Sequence, residues 1–104
     1  MHIDLISKID ITSRLDRNQA RKLLARILAD SVSKISFSKH CRQELENDHL
    51  TTVDVFNVLK AGMAHGDPEF EKGTYRYRVE TARIAVIVAF LRPDFVRCIT
   101  AWRK

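Results

Sequence analysis

The sequence predicts an α+β domain in which about three N-terminal helices pack on one face of a small antiparallel β-sheet. Three observations carry this expectation. Apolar residues recur at three-and-four spacing up to Gly62, as in helices with one buried stripe. From Thr74 onward the period falls to two, the signature of strands. The turns between those strand segments are too short for crossover connections, so the strands run antiparallel. Helices first and a meander afterwards make a layered α+β structure. At 104 residues the chain is expected to form one domain, 1–104.

Each element follows from local chemistry. In residues 1–13, Leu5, Ile6 and Ile9 fit one or two helical turns, while Ile3, Leu5, Ile9 and Ile11 suit a short strand equally well. Asp16 followed by Gln19 has capping-box spacing, and Ala20, Leu23, Leu24, Ile27 and Leu28 then predict a helix over residues 17–31. Its other side is cationic, with Arg17, Arg21, Lys22 and Arg26. Ile35 and Phe37 alternate with Ser36 and Ser38, and Ser38 caps a helix from Lys39 that turns Cys41, Leu45 and His49 inward and ends before Leu50. Thr51 with Asp54 repeats the capping-box spacing for a third helix carrying Val55, Val58 and Leu59, closed by Gly62.

Residues 63–73, with Gly66-Asp67-Pro68 at their centre, are expected as a loop. In residues 74–80, Tyr75, Tyr77 and Val79 alternate with Arg76, Arg78 and Glu80, so one strand face is buried and one exposed. Residues 83–91 are apolar on both faces, as in a central strand. After the turn Arg92-Pro93-Asp94, strict alternation puts Val96, Cys98, Thr100 and Trp102 on one side of the last strand. Phe95, Arg97, Ile99, Ala101 and Arg103 take the other.

Composition narrows the function. Lys and Arg total 18 against 13 Asp and Glu, a net charge of +5, so a polyanion is a candidate partner. Residues 1–43 hold nine basic and four acidic side chains, residues 44–72 two and seven, and residues 73–104 seven and two. These blocks either mix in space or form a basic face with an acidic shoulder. The longest apolar run, residues 84–91, is far short of the roughly 20 residues that span a bilayer, and no membrane association is expected. The N-terminus lacks the basic-then-apolar layout of a secretory signal. With only Cys41 and Cys98, far apart, a reduced cytoplasmic protein is expected.

No Gly-rich phosphate loop, GxSxG or HExxH is present, so the chemistries that depend on them lack their carriers. Two constellations remain. His40, Glu44 and Asp48 share a helix face at four-residue spacing, which suits a proton relay, a weak metal site or an ordinary solvated stripe. No second histidine is placed to complete a metal site, and neither metal nor cofactor is expected. Arg76 and Arg78 occupy one strand face, with Arg83, Arg97 and Arg103 near them on the same sheet. Guanidinium groups at this density call for phosphate, or for pairing with Glu80, Asp94 and the acidic middle block. Tyr75, Tyr77 and Trp102 offer rings for base stacking or for the core. Cys41, beside His40 but on the apolar stripe, reads as a small hydrophobe. RNA cleavage asks little of such a domain, because the substrate's 2′-hydroxyl is the nucleophile and the protein supplies only a base, an acid and cations.

The segment His40-Cys41-Arg42-Gln43-Glu44-Leu45, the Val55/Leu59 helix, Tyr75-Arg76-Tyr77-Arg78-Val79 and the close Ile99-Thr100-Ala101-Trp102-Arg103 together resemble a small domain of the RelE-like toxin superfamily. It is similar to BrnT-type and MqsR-type toxins over residues 35–104, with 1–34 as an N-terminal helical extension. The resemblance implies a metal-free endoribonuclease of a toxin–antitoxin pair, acting on RNA and covered on its active face by an antitoxin. Position by position, it implies His40 as acid or base, Arg76 and Arg78 as the basic strand, and Thr100 and Arg103 on the C-terminal strand. Glu44 and Asp48 stand where the family pattern has basic residues. Trp102 stands where several members have a catalytic Tyr or His. The expected catalytic set is His40, Glu44, Arg76, Arg78, Thr100 and Arg103, with Arg83, Arg97, Tyr75 and Trp102 binding substrate. The rival readings are a non-catalytic nucleic-acid-binding module and a protein-interaction module.

Overall fold

The computed structural model describes residues 9–30 and 34–104. The expectations for residues 1–8 and for the last residue of the first helix lie outside them. In chain order the elements are α1 (Arg17–Asp30), β1 (Ile35–Phe37), α2 (Lys39–Asn47), α3 (Thr52–Ala61), β2 (Met63–Glu71), β3 (Thr74–Glu80), β4 (Ile84–Arg92) and β5 (Phe95–Arg103). The sheet order is β1-β5-β4-β3-β2, and β1 runs parallel to β5 while the other pairs are antiparallel. The fold is α+β.

Each helix start follows its sequence signal. Gln19 N–H donates to the Asp16 carboxylate at 2.8 Å and the Gln19 amide oxygen accepts from Asp16 N–H at 3.0 Å, closing the box at α1. Ser38 Oγ accepts from Cys41 N–H at 3.0 Å at α2, and Thr51 and Asp54 cap α3 reciprocally. The stripes Leu23, Leu24, Ile27, Val55, Val58 and Leu59 pack on Val79, Val86, Val88, Val96 and Cys98 of the sheet. A fully buried aliphatic side chain contributes about 1.5–3 kcal/mol, so this layer contact dominates the stability. Among the described residues, no helix packs on the other sheet face. Arg21 is not part of a free cationic side: its guanidinium donates to the carbonyls of Leu59 and Lys60 at 3.0 and 2.8 Å, closing the C-terminal end of α3.

Four expectations are corrected. The sheet is mixed and five-stranded, not small and antiparallel, because β1 separates α1 from α2 and returns beside β5. The segment expected as a loop is the edge strand β2. Its Gly66-Asp67-Pro68 forms a bulge between the pairs His65/Arg78 and Glu69/Arg76, with Gly66 at φ +72°, and Pro68 is tolerated there because an edge strand can spare an N–H. His49 is exposed, not inward, and takes φ +54° just beyond α2. Finally, the alternation of β5 breaks at Ile99: Thr100 pairs with Ile87 but Cys98 pairs with Val88, leaving Ile99 as the extra residue. Cys98 and Ala101 are therefore both buried on the helix side. Arg97, Thr100 and Trp102 come to the open face together.

Candidate nucleic-acid interface

The open face is built from three adjacent strands. Registers Glu80/Ala85/Trp102, Arg78/Ile87/Thr100 and Arg76/Ala89/Arg97 run across β3, β4 and β5. Small or aliphatic residues on the central strand leave a floor between the longer side chains. The edge strand β2 adds His65 opposite Arg78 and Glu69 opposite Arg76. The result is a shallow hollow of about 510 Å³ lined by, among others, His65, Glu71, Arg76, Arg78, Thr100 and Trp102.

Its electrostatics are mixed. The Arg78 guanidinium lies 5.1 Å from the Trp102 ring centroid, and Arg78 Nε donates to Glu80 Oε2 at 2.7 Å. Glu80 also faces Lys104 Nζ at 3.4 Å and His65 Nδ1 at 3.7 Å. Burial alone would raise the Glu80 carboxyl, but hydrogen bonds and charges from Arg78 and Lys104 outweigh it and hold Glu80 below the usual carboxylate range. Arg76 Nη1 pairs with Glu71 at 3.0 Å, and Arg76 Nε is buried without a hydrogen-bond partner. Arg14 of the segment before α1 pairs with Asp67 at 2.9 Å. The acidic middle block thus meets the basic ends in space, and the arginine density of the sheet is relieved internally at Arg76 and Arg78. What stays available is a guanidinium stacked on an indole and a threonine hydroxyl.

The chain matches no protein-family model, no curated protein and no solved structure.

The structure brings together only part of the expected set. Arg76, Arg78, Thr100 and Trp102 line the hollow. Arg97 shares the open face but sits toward β1, where its Nε donates to Ser36 Oγ at 3.3 Å. Arg83 lies exposed in the β3–β4 turn. His40 is exposed and Glu44 half-buried on α2, whose Cys41 and Leu45 enter the core on the helix side, so neither lines the hollow. Arg103 turns away to the end of α2, donating to the main-chain carbonyls of Asp48 and His49. Tyr75 packs on Phe70 with ring centroids 4.9 Å apart, and Tyr77 is buried, its hydroxyl accepting from Leu15 N–H at 2.9 Å. These two tyrosines serve packing. His65, Glu69 and Glu71 are the residues that sequence reasoning missed, because only pairing with β3 delivers them. Among the described residues, no three His, Cys, Asp or Glu side chains converge as metal ligands would, and no helix is long and apolar enough to cross a membrane.

Proposed function

We propose that the open sheet face binds single-stranded RNA and that the protein is a metal-independent endoribonuclease, the toxin of a toxin–antitoxin pair. One observation carries the reading: Arg78 stacked over Trp102, beside Arg76 and Thr100, on a face that no helix covers among the described residues. A guanidinium–indole pair offers a base a stacking surface and a phosphate a charged donor, a combination suited to unpaired nucleotides. Arg76 and Arg78 hold the non-bridging oxygens. Thr100 contributes a hydroxyl donor.

In this reading His65 is the base nearest the phosphate, although the resemblance selects His40. It takes the 2′-hydroxyl proton as the 2′-oxygen bonds to phosphorus. The bond to the 5′-oxygen breaks, that oxygen leaves with a proton from solvent, and a 2′,3′-cyclic phosphate remains. An antitoxin seated on this face excludes RNA. The rival reading, binding without cleavage, is favoured by one specific observation: both groove arginines already hold carboxylates.

Trp102, the single tryptophan, makes the test direct. Titration with a single-stranded RNA oligomer is expected to change its fluorescence, with a log–log salt slope of about −3 to −4 for four or five phosphates at roughly −0.7 each. A flat salt response, or an affinity unchanged in the Arg76→Ala, Arg78→Ala double variant, removes the RNA reading. Single-turnover cleavage then separates the histidines: loss of the base lowers the rate by roughly 10² to 10⁴ with little change in affinity, for His65→Ala if the groove is the site and for His40→Ala if α2 is. RNA bound but not cut selects the rival.

A further inference from the structure

The other edge of the sheet carries a second surface. β1 is the outermost strand, paired with β5 on one side, and among the described residues no strand pairs its outer edge. An unpaired strand edge is a row of main-chain donors and acceptors that templates another strand. Beside it, Ile35 and Phe37 turn toward the helix layer and, with Val53 and Phe56 of α3, line an apolar hollow of about 440 Å³. Val53 is 65% exposed there, a large aliphatic side chain with nothing over it among the described residues.

Charge says what fits. Arg42 lies 6.0 Å from the Phe37 ring and Lys60 5.5 Å from the Phe56 ring, so cations rim the hollow. On the opposite side of β1, Ser36 faces Arg97. The acid at this end, Asp94, is engaged by Lys34 at 3.9 Å and Arg92 at 3.6 Å. A strand laid on β1 points alternate side chains into the hollow and toward Arg97. A second copy of β1 would bring Arg42 and Arg97 against their own counterparts, which like charges oppose.

We propose that the β1 edge and its hollow receive an extended segment of an acidic partner protein, added as a sixth strand, with apolar residues facing Ile35, Phe37 and Val53 and acidic residues alternating toward Arg97. The added main-chain bonds are few, since β1 has three residues, and the apolar anchors supply the affinity. This surface is separate from the RNA hollow. It lies at the edge of the sheet opposite β2, whose residues help to form the RNA hollow.

The probe is a labelled nine-residue peptide of alternating Glu and Val, titrated by fluorescence anisotropy. Binding is expected, weakened about tenfold by Val53→Asp and by Arg97→Glu, each removing one anchor. Val53 is exposed in the first turn of α3, where an acid suits the helix dipole, so Val53→Asp folds, and Arg97→Glu tests the opposite side of the strand independently. Methylating the peptide amides that face β1 is expected to weaken binding by blocking the ladder. The proposal is overturned if the peptide does not bind at millimolar concentration, if an alternating Lys and Val peptide binds equally well, or if the methylated peptide binds as well as the parent. Sedimentation showing a dimer that Val53→Asp dissociates would give the face to a second copy, and that too overturns it.

Discussion

Arg103 donates its main-chain N–H to the Asp48 carboxylate at 2.8 Å, while its guanidinium reaches the carbonyls of Asp48 and His49 at 3.3 to 3.4 Å. The last strand is thereby fastened to the C-terminal end of α2, where carbonyls lack helical partners and a cation complements the dipole. The bulge at Ile99 makes this contact: it turns Arg103 to the helix side and leaves Trp102 on the open side.

Arg103→Ala keeps the main-chain bond and loses the guanidinium contacts. We expect a loss of about 0.5–1.5 kcal/mol, read as a fall in melting temperature of roughly 2–8 °C. RNA affinity is expected to fall only by the share of one remote charge. A large loss of affinity with an unchanged melt would instead assign Arg103 to RNA.

Much of the fold was legible because its signals are local. The two capping boxes and the Ser38 cap fixed three helix starts, and the Tyr-Arg-Tyr-Arg-Val alternation gave β3 its bounds and faces. What escaped depends on partners remote in sequence. β2 has an irregular, mostly exposed pattern and a Gly-Asp-Pro bulge, so nothing in residues 63–71 announces a strand. β1 is three residues long and stable only beside β5. The candidate site divided along the same line. Arg76 and Arg78 were readable from period two, whereas the company of Thr100 and Trp102 depended on one extra residue at Ile99 that strict alternation hides.

Tyr77 links the segment before α1 to the sheet through its hydroxyl, which accepts from Leu15 N–H. Tyr77→Phe leaves that buried N–H unpaired, and a cost of about 1–3 kcal/mol is expected in chemical denaturation. Burial raises the Tyr77 hydroxyl, against a smaller opposing effect of the Leu15 bond. The unfolded chain then ionises first as pH rises, so the tyrosine's contribution is complete below about pH 10 and is lost above it. The Phe variant is expected to show a shallower alkaline loss of stability. Identical alkaline slopes would mean that Tyr77 ionises equally easily in both states.

Cys41 and Cys98 are fully buried, and burial pushes the Cys41 thiol up to about 11 and the Cys98 thiol higher than its ordinary value. Thiolates are the reactive form, so both cysteines are expected to resist a disulfide reagent at pH 8 in the native protein and to react together in denaturant. The measurement is the thiol count with and without denaturant. Rapid native reaction of either residue would restore a nucleophilic role that the packing denies.

Glu80 competes with RNA for Arg78 in the proposed function, and replacing it exposes that competition. Its folded carboxyl titrates below the unfolded one, so the stability it lends is complete above the unfolded value near 4.5 and disappears as pH falls through the folded value. Glu80→Gln should therefore melt lower than the wild-type protein at pH 7, with the difference shrinking in acid. Meanwhile Arg78 and Lys104 lose their shared anion, and affinity for a single-stranded RNA oligomer at pH 7 is expected to rise. The salt slope should steepen by about 0.7 if Arg78 gains one phosphate. Cleavage is expected to move the other way, because the carboxylate beside His65 Nδ1 no longer orients the imidazole. Tighter binding with slower single-turnover cleavage in one folded variant separates the two roles of the hollow. Unchanged affinity and slope would show that Arg78 stays with its sheet neighbours and does not meet the phosphate.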